Sequence, residues 1–373
     1  MLIAPLAVLA SPFVVVCNVI KGRRLELIVL AVDGEFAPVV ELMELLRTNP
    51  VDEKPWRYLL VLSKYRHQTL DALYSKALHC RIIRSGKFSR VAQQVLLLQP
   101  DWIVSITELR GSRTFVLPEH ALEVPRHLVE LRKTSLESVG LRNQKYVAMA
   151  VFSLKYDEER DRRELAKVTI LESNGSELVS GIDYLQDSDI GVVLLGSEDS
   201  NNSRIPRDVA RLSALSPLGG AHEVALASGC EYFWNDFDVG AWWLGLPFKR
   251  PILTTNKPRI RLKTKLDGYE HLVVPVRYQH RDGTDIGLKE LLSMKSAPFK
   301  AASRGEILMI RNSPDEIVEA HREMVSRISG KWSDDSHQRF LREKSQRIFL
   351  DFPDTNPMNI SAYFLAKHSH LLE

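Results

Sequence analysis

Cysteine is scarce in this chain: three in 373 residues, at Cys17, Cys80 and Cys230, far apart and odd in number. That spacing builds neither a disulfide framework nor a zinc module, and it fits a reducing compartment. Histidine does not fill the gap, since no HExxH occurs and His368 and His370 stand among the last residues. The reading is therefore that no metal is held by the protein and no cofactor is bound. No GxGxxG follows any strand and no GxxxxGKS or GxxxxGKT loop occurs, so the dinucleotide turn and the P-loop both lose weight. An excess of charge of one sign is missing too. Lys and Arg number 50 against 47 Asp and Glu, a formal charge of +3. No segment interleaves basic with aromatic residues, which speaks against a nucleic-acid partner. The five basic residues Lys257, Arg259, Arg261, Lys263 and Lys265 alternate. They read as the solvated side of an edge strand or, more sharply, as a phosphate-facing ridge.

Charge is also absent from Met1 to Ile20, and Lys21-Gly22-Arg23-Arg24 follows at once. Three readings stand for this segment: an interfacial anchor on a membrane surface, a true span, or an ordinary packed segment, with Pro5, Ser11, Pro12 and Asn18 interrupting the apolar run. The basic flank would place the following domain on the cytoplasmic side, at the inner face of the membrane. A signal peptide fits less well, because the basic residues come after the apolar run.

What is present is an ordinary globular composition, 45% hydrophobic and 26% charged, at a length that favours two domains. The segments 25–32, 56–62 and 81–83 read as strands, with helices at 39–46 and around 69–78, a βαβ rhythm. A charged helical stretch at 118–142 leads to a strand at 146–152 and a second series. Gly191-Val192-Val193-Leu194-Leu195 ends in Gly196-Ser197, Glu231-Tyr232-Phe233-Trp234 ends in Asn235-Asp236, and Pro251-Ile252-Leu253-Thr254-Thr255 ends in Asn256. Such continuous apolar strands fit a parallel sheet buried on both faces, in which ligands bind beyond the carboxyl ends. Ser313-Pro314-Asp315-Glu316 signals a helix start, and the pattern is helical from there to the end. The expected domains are 1–24, an apolar segment; 25–142 and 143–312, two Rossmann-like domains; and 313–373, C-terminal helices.

Several stretches resemble a group of bacterial glycosyltransferases with two Rossmann-like domains, found among surface-polysaccharide genes. They are Asn312-Ser313-Pro314-Asp315-Glu316-Ile317, Glu323-Met324, Arg327-Ile328, Gly330-Lys331-Trp332, the closing helix Ile360 to Leu372, Cys230-Glu231-Tyr232-Phe233 and Arg250 to Asn256. Gly34, Phe36-Ala37 and Glu41-Leu42 are similar to that family's first turn. The resemblance implies a GT-B-like α/β fold, a nucleotide-sugar donor held by the second domain and a glycan or lipid-linked glycan acceptor at the first. The chain departs from the family at Glu35, where the family has histidine, in 148–153, which lack its His and Arg, and in Asn235 to Gly240, where the family has Thr-Ser-Gly. Those departures keep open a glycan- or sugar-nucleotide-binding protein without catalysis, and the architecture also admits a sugar-nucleotide epimerase.

The site candidates follow from what such a transfer needs. Glu35 and Asp33 flank Gly34 at a strand end and could take the proton of an acceptor hydroxyl, or form a solvated turn. Gly240 would open a helix whose backbone amides face a diphosphate; Asp236 and Asp238 would repel that group but could hold ribose or sugar hydroxyls, or cap the helix. Gly196, Ser197, Arg204, Asn235 and Asn256 complete the donor set; an ordinary strand-to-loop turn stands beside the reading of Gly196-Ser197, and a solvated loop side chain beside that of Arg204.

Overall fold

The computed structural model describes residues 27–31, 43, 58–62, 68–78, 81–84, 120–150, 175–195, 205–206, 209–211, 220–237, 244–258, 269–294, 298–352 and 357–373. The chain forms two compact units, Met1–Glu123 and Val124–Glu373. In the first, β1 (Leu27–Ala31), β2 (Tyr58–Leu62) and β3 (Arg81–Arg84) form a parallel sheet in that order. Helix α1 (Gln68–Ala77) buries Leu70, Leu73 and Tyr74, an i, i+3, i+4 stripe.

The second unit is built on a seven-stranded parallel sheet. Its strands are β4 (Lys145–Ala150), β5 (Ile190–Leu195), β6 (Ala210–Arg211), β7 (Phe233–Asp236), β8 (Ile252–Lys257), β9 (His271–Pro275) and β12 (Asn359–Ile360), in the order β12-β9-β8-β7-β4-β5-β6. Read from β6 inward, the chain runs 3-2-1-4-5-6, the doubly wound order of a Rossmann sheet, with β12 as a seventh strand. The order reverses between β4 and β7. A separate antiparallel pair, β10 (Arg277–Gln279) and β11 (Leu308–Ile310), stands beside it. Both edges of the large sheet are strands of two residues, which leaves little edge to pair with another chain.

Helix α2 (Arg126–Ser138) belongs to this second unit, where it packs on α4 (Gly220–Ala227), although the sequence pattern sets the domain boundary at 142. Helix α3 (Gly175–Asp187) packs on α7 (Pro314–Ile328). Between them and the sheet lies a core of Val147, Met149, Tyr232, Trp234 and Leu253 with Leu178, Ile182 and Ile317. Alternation along β7 sends Tyr232, Trp234 and Asp236 to this face and Phe233 and Asn235 to the other.

The α3–α7 contact is close because α3 carries Gly181 at the crossing. A Cβ there would come 2.8 Å from Ile317 Cγ2 and 3.0 Å from the ring of His321. Gly181→Val is expected to destabilise the unit by about 1–3 kcal/mol, the usual range for overpacking, despite its gain in backbone rigidity. Chemical denaturation reads this directly, and an unchanged midpoint would show that the helices can part without cost.

The sequence pattern continues helix from Ser313 to the end; the structure instead breaks it into α7, α8 (Ser336–Leu350) and α9 (Ala362–Lys367), with β12 between the last two. Pro353 and Pro357 punctuate that stretch, and the Asn359–Ile360 pair joins β9. The edge-strand reading is also corrected for Lys257, while Arg259, Arg261, Lys263 and Lys265 lie outside the described residues. Lys257 lies at the end of β8, an interior strand between β7 and β9, and is buried. The strand ending at Trp234 extends two residues further than its apolar run, so Asn235 and Asp236 are strand residues.

Candidate functional site at the carboxyl ends of β4, β7 and β8

Where the strand order reverses, β4 and β7 lie side by side, Ala148 opposite Phe233 and Ala150 opposite Asn235. Neighbouring strands that wind away from each other leave a crevice beyond their carboxyl ends, which is where open α/β sheets take ligands. Asn235 stands at that place. Its side chain is fully buried, and neither Nδ2 nor Oδ1 has a hydrogen-bond partner among the described residues. An unpaired buried amide costs about 1–3 kcal/mol. Such a group asks for an explanation, and it stands where open α/β sheets take ligands.

One residue on, Asp236 points the opposite way and is fully satisfied. Its Oδ1 accepts from Thr255 Oγ1 at 3.1 Å and Asn256 Nδ2 at 2.8 Å, and its Oδ2 from Arg311 Nη2 at 3.4 Å. Arg311 also donates through Nε to Glu177 at 2.6 Å, in the first turn of α3. Two carboxylates therefore share one guanidinium that is only a tenth exposed. Among the described residues, Asp236 is committed to β8 and to Arg311. It fixes the strand end.

Asn256 is placed to reach Asp236 by a bulge. The β8–β9 register shifts between Thr254 and Lys257, and Asn256 takes φ +49°, a left-handed conformation that asparagine tolerates. Its backbone N–H donates to Asn312 Oδ1 at 2.5 Å, and the Asn312 N–H donates back to Asn256 Oδ1 at 2.7 Å. Asn312 Nδ2 then donates to Pro275 O at 2.8 Å, at the end of β9. Beside Asn256, Phe237 also turns left-handed at φ +64°, held by its N–H to Thr255 O at 2.9 Å. For a bulky residue that conformation costs about 1–3 kcal/mol, and the hydrogen bonds around it keep it in place. Both strands thus turn sharply at the same level.

Behind the strand ends the polar groups continue into the core. Trp234 Nε1 donates to Thr255 Oγ1 at 3.0 Å, and the His321 ring meets Trp234 edge-on at 4.2 Å. Tyr232 Oη lies 2.5 Å from His321 Nδ1. Burial pushes the His321 pKa down to about 3, so the ring is neutral, and it pushes the Tyr232 phenol up. His271, paired with Thr254 Oγ1 at 2.9 Å, is likewise pushed to about 3 by burial and by the charge of Lys257. Such neutral groups are packing devices and do not exchange protons near neutral pH. Cys230 is also inert, its thiol pushed up to about 12 by burial.

Of the residues singled out from sequence, the structure brings Asp236 and Asn256 into contact and sets Asn235 on the other face of the same strand. Asp33, Glu35, Gly196, Ser197, Arg204, Asp238 and Gly240 lie outside the described residues, as does the segment 1–20. Arg311, Asn312 and Glu177 were missed as site residues. The helix start at Ser313 and the resemblance stretch that opens at Asn312 pointed near them without giving them a role. Among the described residues no group of three His, Cys, Asp or Glu side chains could hold a metal, and no helix is long and apolar enough to cross a membrane.

No protein-family model matches the chain, and no curated protein matches it. Among solved structures it is similar to a family 9 glycosyl transferase from Veillonella parvula, at 11% identity and TM-score 0.52, covering 81% of this chain and 97% of that one. It is also similar to the ADP-heptose LPS heptosyltransferase II of E. coli, at 10% identity and TM-score 0.43, covering 81% and 99%. The fold is α/β and GT-B-like, as the first of these likenesses and the parallel sheet show.

Proposed function

We propose that the protein is a glycosyltransferase that takes a sugar from a nucleotide-sugar donor bound at the carboxyl ends of β4 and β7 and passes it to a bacterial surface glycan or a lipid-linked glycan. The observation that carries this reading is the unpartnered amide of Asn235 at the reversal of a Rossmann-order sheet. A carboxamide offers one donor and one acceptor side by side, which suits a nucleobase edge or a pair of sugar hydroxyls. The GT-B-like fold and the resemblance of the sequence support the donor class. In the transfer, the bond from the sugar C1 to the donor phosphate breaks and a bond from C1 to the acceptor oxygen forms. The nucleoside diphosphate leaves, and the acceptor proton passes to a carboxylate, for which Glu35 and Asp33 are the candidates. Gly240 and its helix, with Gly196, Ser197 and Arg204, would hold the diphosphate through backbone amides and a guanidinium, with no metal held by the protein. The place of work is the cytoplasm, at the inner face of the membrane.

The test is a thermal-shift screen of the full chain against nucleotides and nucleotide sugars, with and without magnesium. A ligand at a hundredfold its Kd adds about 2.7 kcal/mol to apparent stability, so specific binding is easily read. One nucleotide should raise Tm equally in both conditions. A folded protein that no nucleotide or nucleotide sugar shifts would refute the reading, and a shift that needs magnesium would refute its metal-free form.

A further inference from the structure

Helix α8 buries one face and leaves a regular stripe on the other. Leu341, Arg342, Ser345, Ile348 and Phe349 are buried, on a helix that packs against α9 and α5 (Leu288–Ser293). Phe340, Glu343, Arg347 and Leu350 stand on the opposite face, all of them exposed. Among the described residues Phe340 and Leu350 are the two most exposed large apolar side chains, at 58% and 70%. The helix that carries them is well fixed. Its start is closed by a capping box, in which Asp335 Oδ1 accepts from the Gln338 N–H at 2.8 Å and Gln338 Oε1 from the Asp335 N–H at 3.0 Å.

The stripe is spaced three, four and three residues apart, which is the a and d pattern of a heptad, the seam along which two helices pack. It is apolar at its two ends and oppositely charged in the middle. Its arrangement is also symmetric about Ser345, because 340 and 350 each lie five residues away and 343 and 347 each lie two. Antiparallel helices bring a positions against d positions. A two-fold axis level with Ser345 therefore sets Phe340 against Leu350 of a second copy and Glu343 against Arg347 of that copy, and each contact occurs twice.

We propose that this face of α8 is a self-association surface, on which two copies of the chain meet through antiparallel α8 helices. A contact of this kind is isologous, since one patch supplies both halves of every pair. Within one copy, Arg347 Nη2 comes no nearer than 4.0 Å to Glu343 Oε2, with the two side chains 81% and 56% exposed, so the pair adds little by itself. In the dimer the four charges alternate in sign around the axis, and the Phe340 and Leu350 contacts cover them at either end. Lys344 and Asp351 stand together on one flank of the seam, and Lys344 of each copy faces the flank that carries Asp351 of the other.

The mixture of signs selects the partner. An anionic lipid surface would favour the cations of this face but would press Glu343 against headgroups of its own charge; a second copy uses both signs. One pair of helices is a small contact beside the roughly 1,200–2,000 Å2 of a stable interface, so the dimer is weak, with a dissociation constant on the order of 100 μM. The surface lies outside the transfer reaction and stands whether or not the protein is a transferase.

Sedimentation equilibrium of the full chain at low salt, from about 5 to about 500 μM, tests it, because that range brackets the expected dissociation constant. Average mass should climb from that of the monomer toward twice that value. Glu343→Arg and Arg347→Glu should each weaken association at least about tenfold, since like charges then face each other across the axis. In an equal mixture of the two variants every arginine again faces a glutamate, and association should return to within about threefold of the unaltered chain. That recovery changes neither fold, so it isolates the contact from any local effect of the substitutions. A chain that stays monomeric throughout, including one that instead binds phosphatidylglycerol vesicles, would overturn the proposal. So would a mixture that associates no better than either variant alone.

Discussion

Asn235→Leu is expected to weaken nucleotide binding by roughly 10- to 100-fold while leaving the ligand-free protein as stable as before or more so. The two effects have one cause. The amide is fully buried without a partner among the described residues, and replacing it with an apolar group of similar shape removes a desolvation cost of about 1–3 kcal/mol. A ligand that uses both amide atoms loses those contacts at the same stroke. A residue that merely packed would move stability and binding in the same direction, or not at all. Calorimetric titration with the nucleotide found by the thermal screen, alongside urea denaturation of the free protein, separates these cases. Unchanged affinity in a folded variant would remove Asn235 from the site.

The second large effect lies far from that amide, in the cluster that joins α7, α8 and α9. Glu323 is almost wholly buried and accepts from Arg327 at 2.8 Å, from Arg342 at 3.2 Å and from the Ala362 N–H at the start of α9 at 2.8 Å. Arg342 continues to Asp334 at 2.9 Å and to Ile360 O at 2.7 Å in β12, and the Arg327 guanidinium lies 5.5 Å from the centre of the Trp332 ring. Asp334 is held below the usual carboxylate range, its burial outweighed by hydrogen bonds from Arg342 and Trp332. Glu323→Ala leaves two guanidinium groups without their shared carboxylate. Breaking a buried pair in this way costs about 3–5 kcal/mol, or on the order of 10 °C in Tm for a unit of this size. Glu323→Gln, which keeps an acceptor, should lose less. A Tm unchanged by the alanine variant would mean that the cluster is solvated and does not hold the helices together.

Much of this organisation is written plainly in the chain. Apolar runs such as Val192–Leu195 and Ile252–Leu253 are buried on both faces of a parallel sheet, which is why they read as strands without alternation. Ser313-Pro314-Asp315-Glu316 carries its own capping chemistry, and the box forms as the four residues dictate. Other features are not local. Arg311 matters because Asp236 lies 75 residues earlier in the sequence and Glu177 lies 134 residues earlier, and no spacing rule connects them. Strand β12 is two residues long, too short for any periodicity, and exists because β9 offers an edge. Asp236 looked like a ligand carboxylate from its place after an apolar run, but its partners come from β8 and the segment before α7. Several residues that carry the family resemblance, among them Asn312, Glu316, Glu323, Arg327 and Trp332, turn out to be joints of the fold. The resemblance therefore speaks more strongly for architecture than for chemistry. Asn235 is the exception: sequence placed it at a strand end, and only the sheet order shows that this end is where the winding reverses.

The most direct test of the donor-site claim is a crystal structure of the full chain grown with the nucleotide that stabilises it. The account predicts ligand density beyond the carboxyl ends of β4 and β7, with a polar edge of the nucleotide or its sugar within hydrogen-bond distance of Asn235 Nδ2 and Oδ1. Density at any other place, with the Asn235 amide still unpaired, would contradict it.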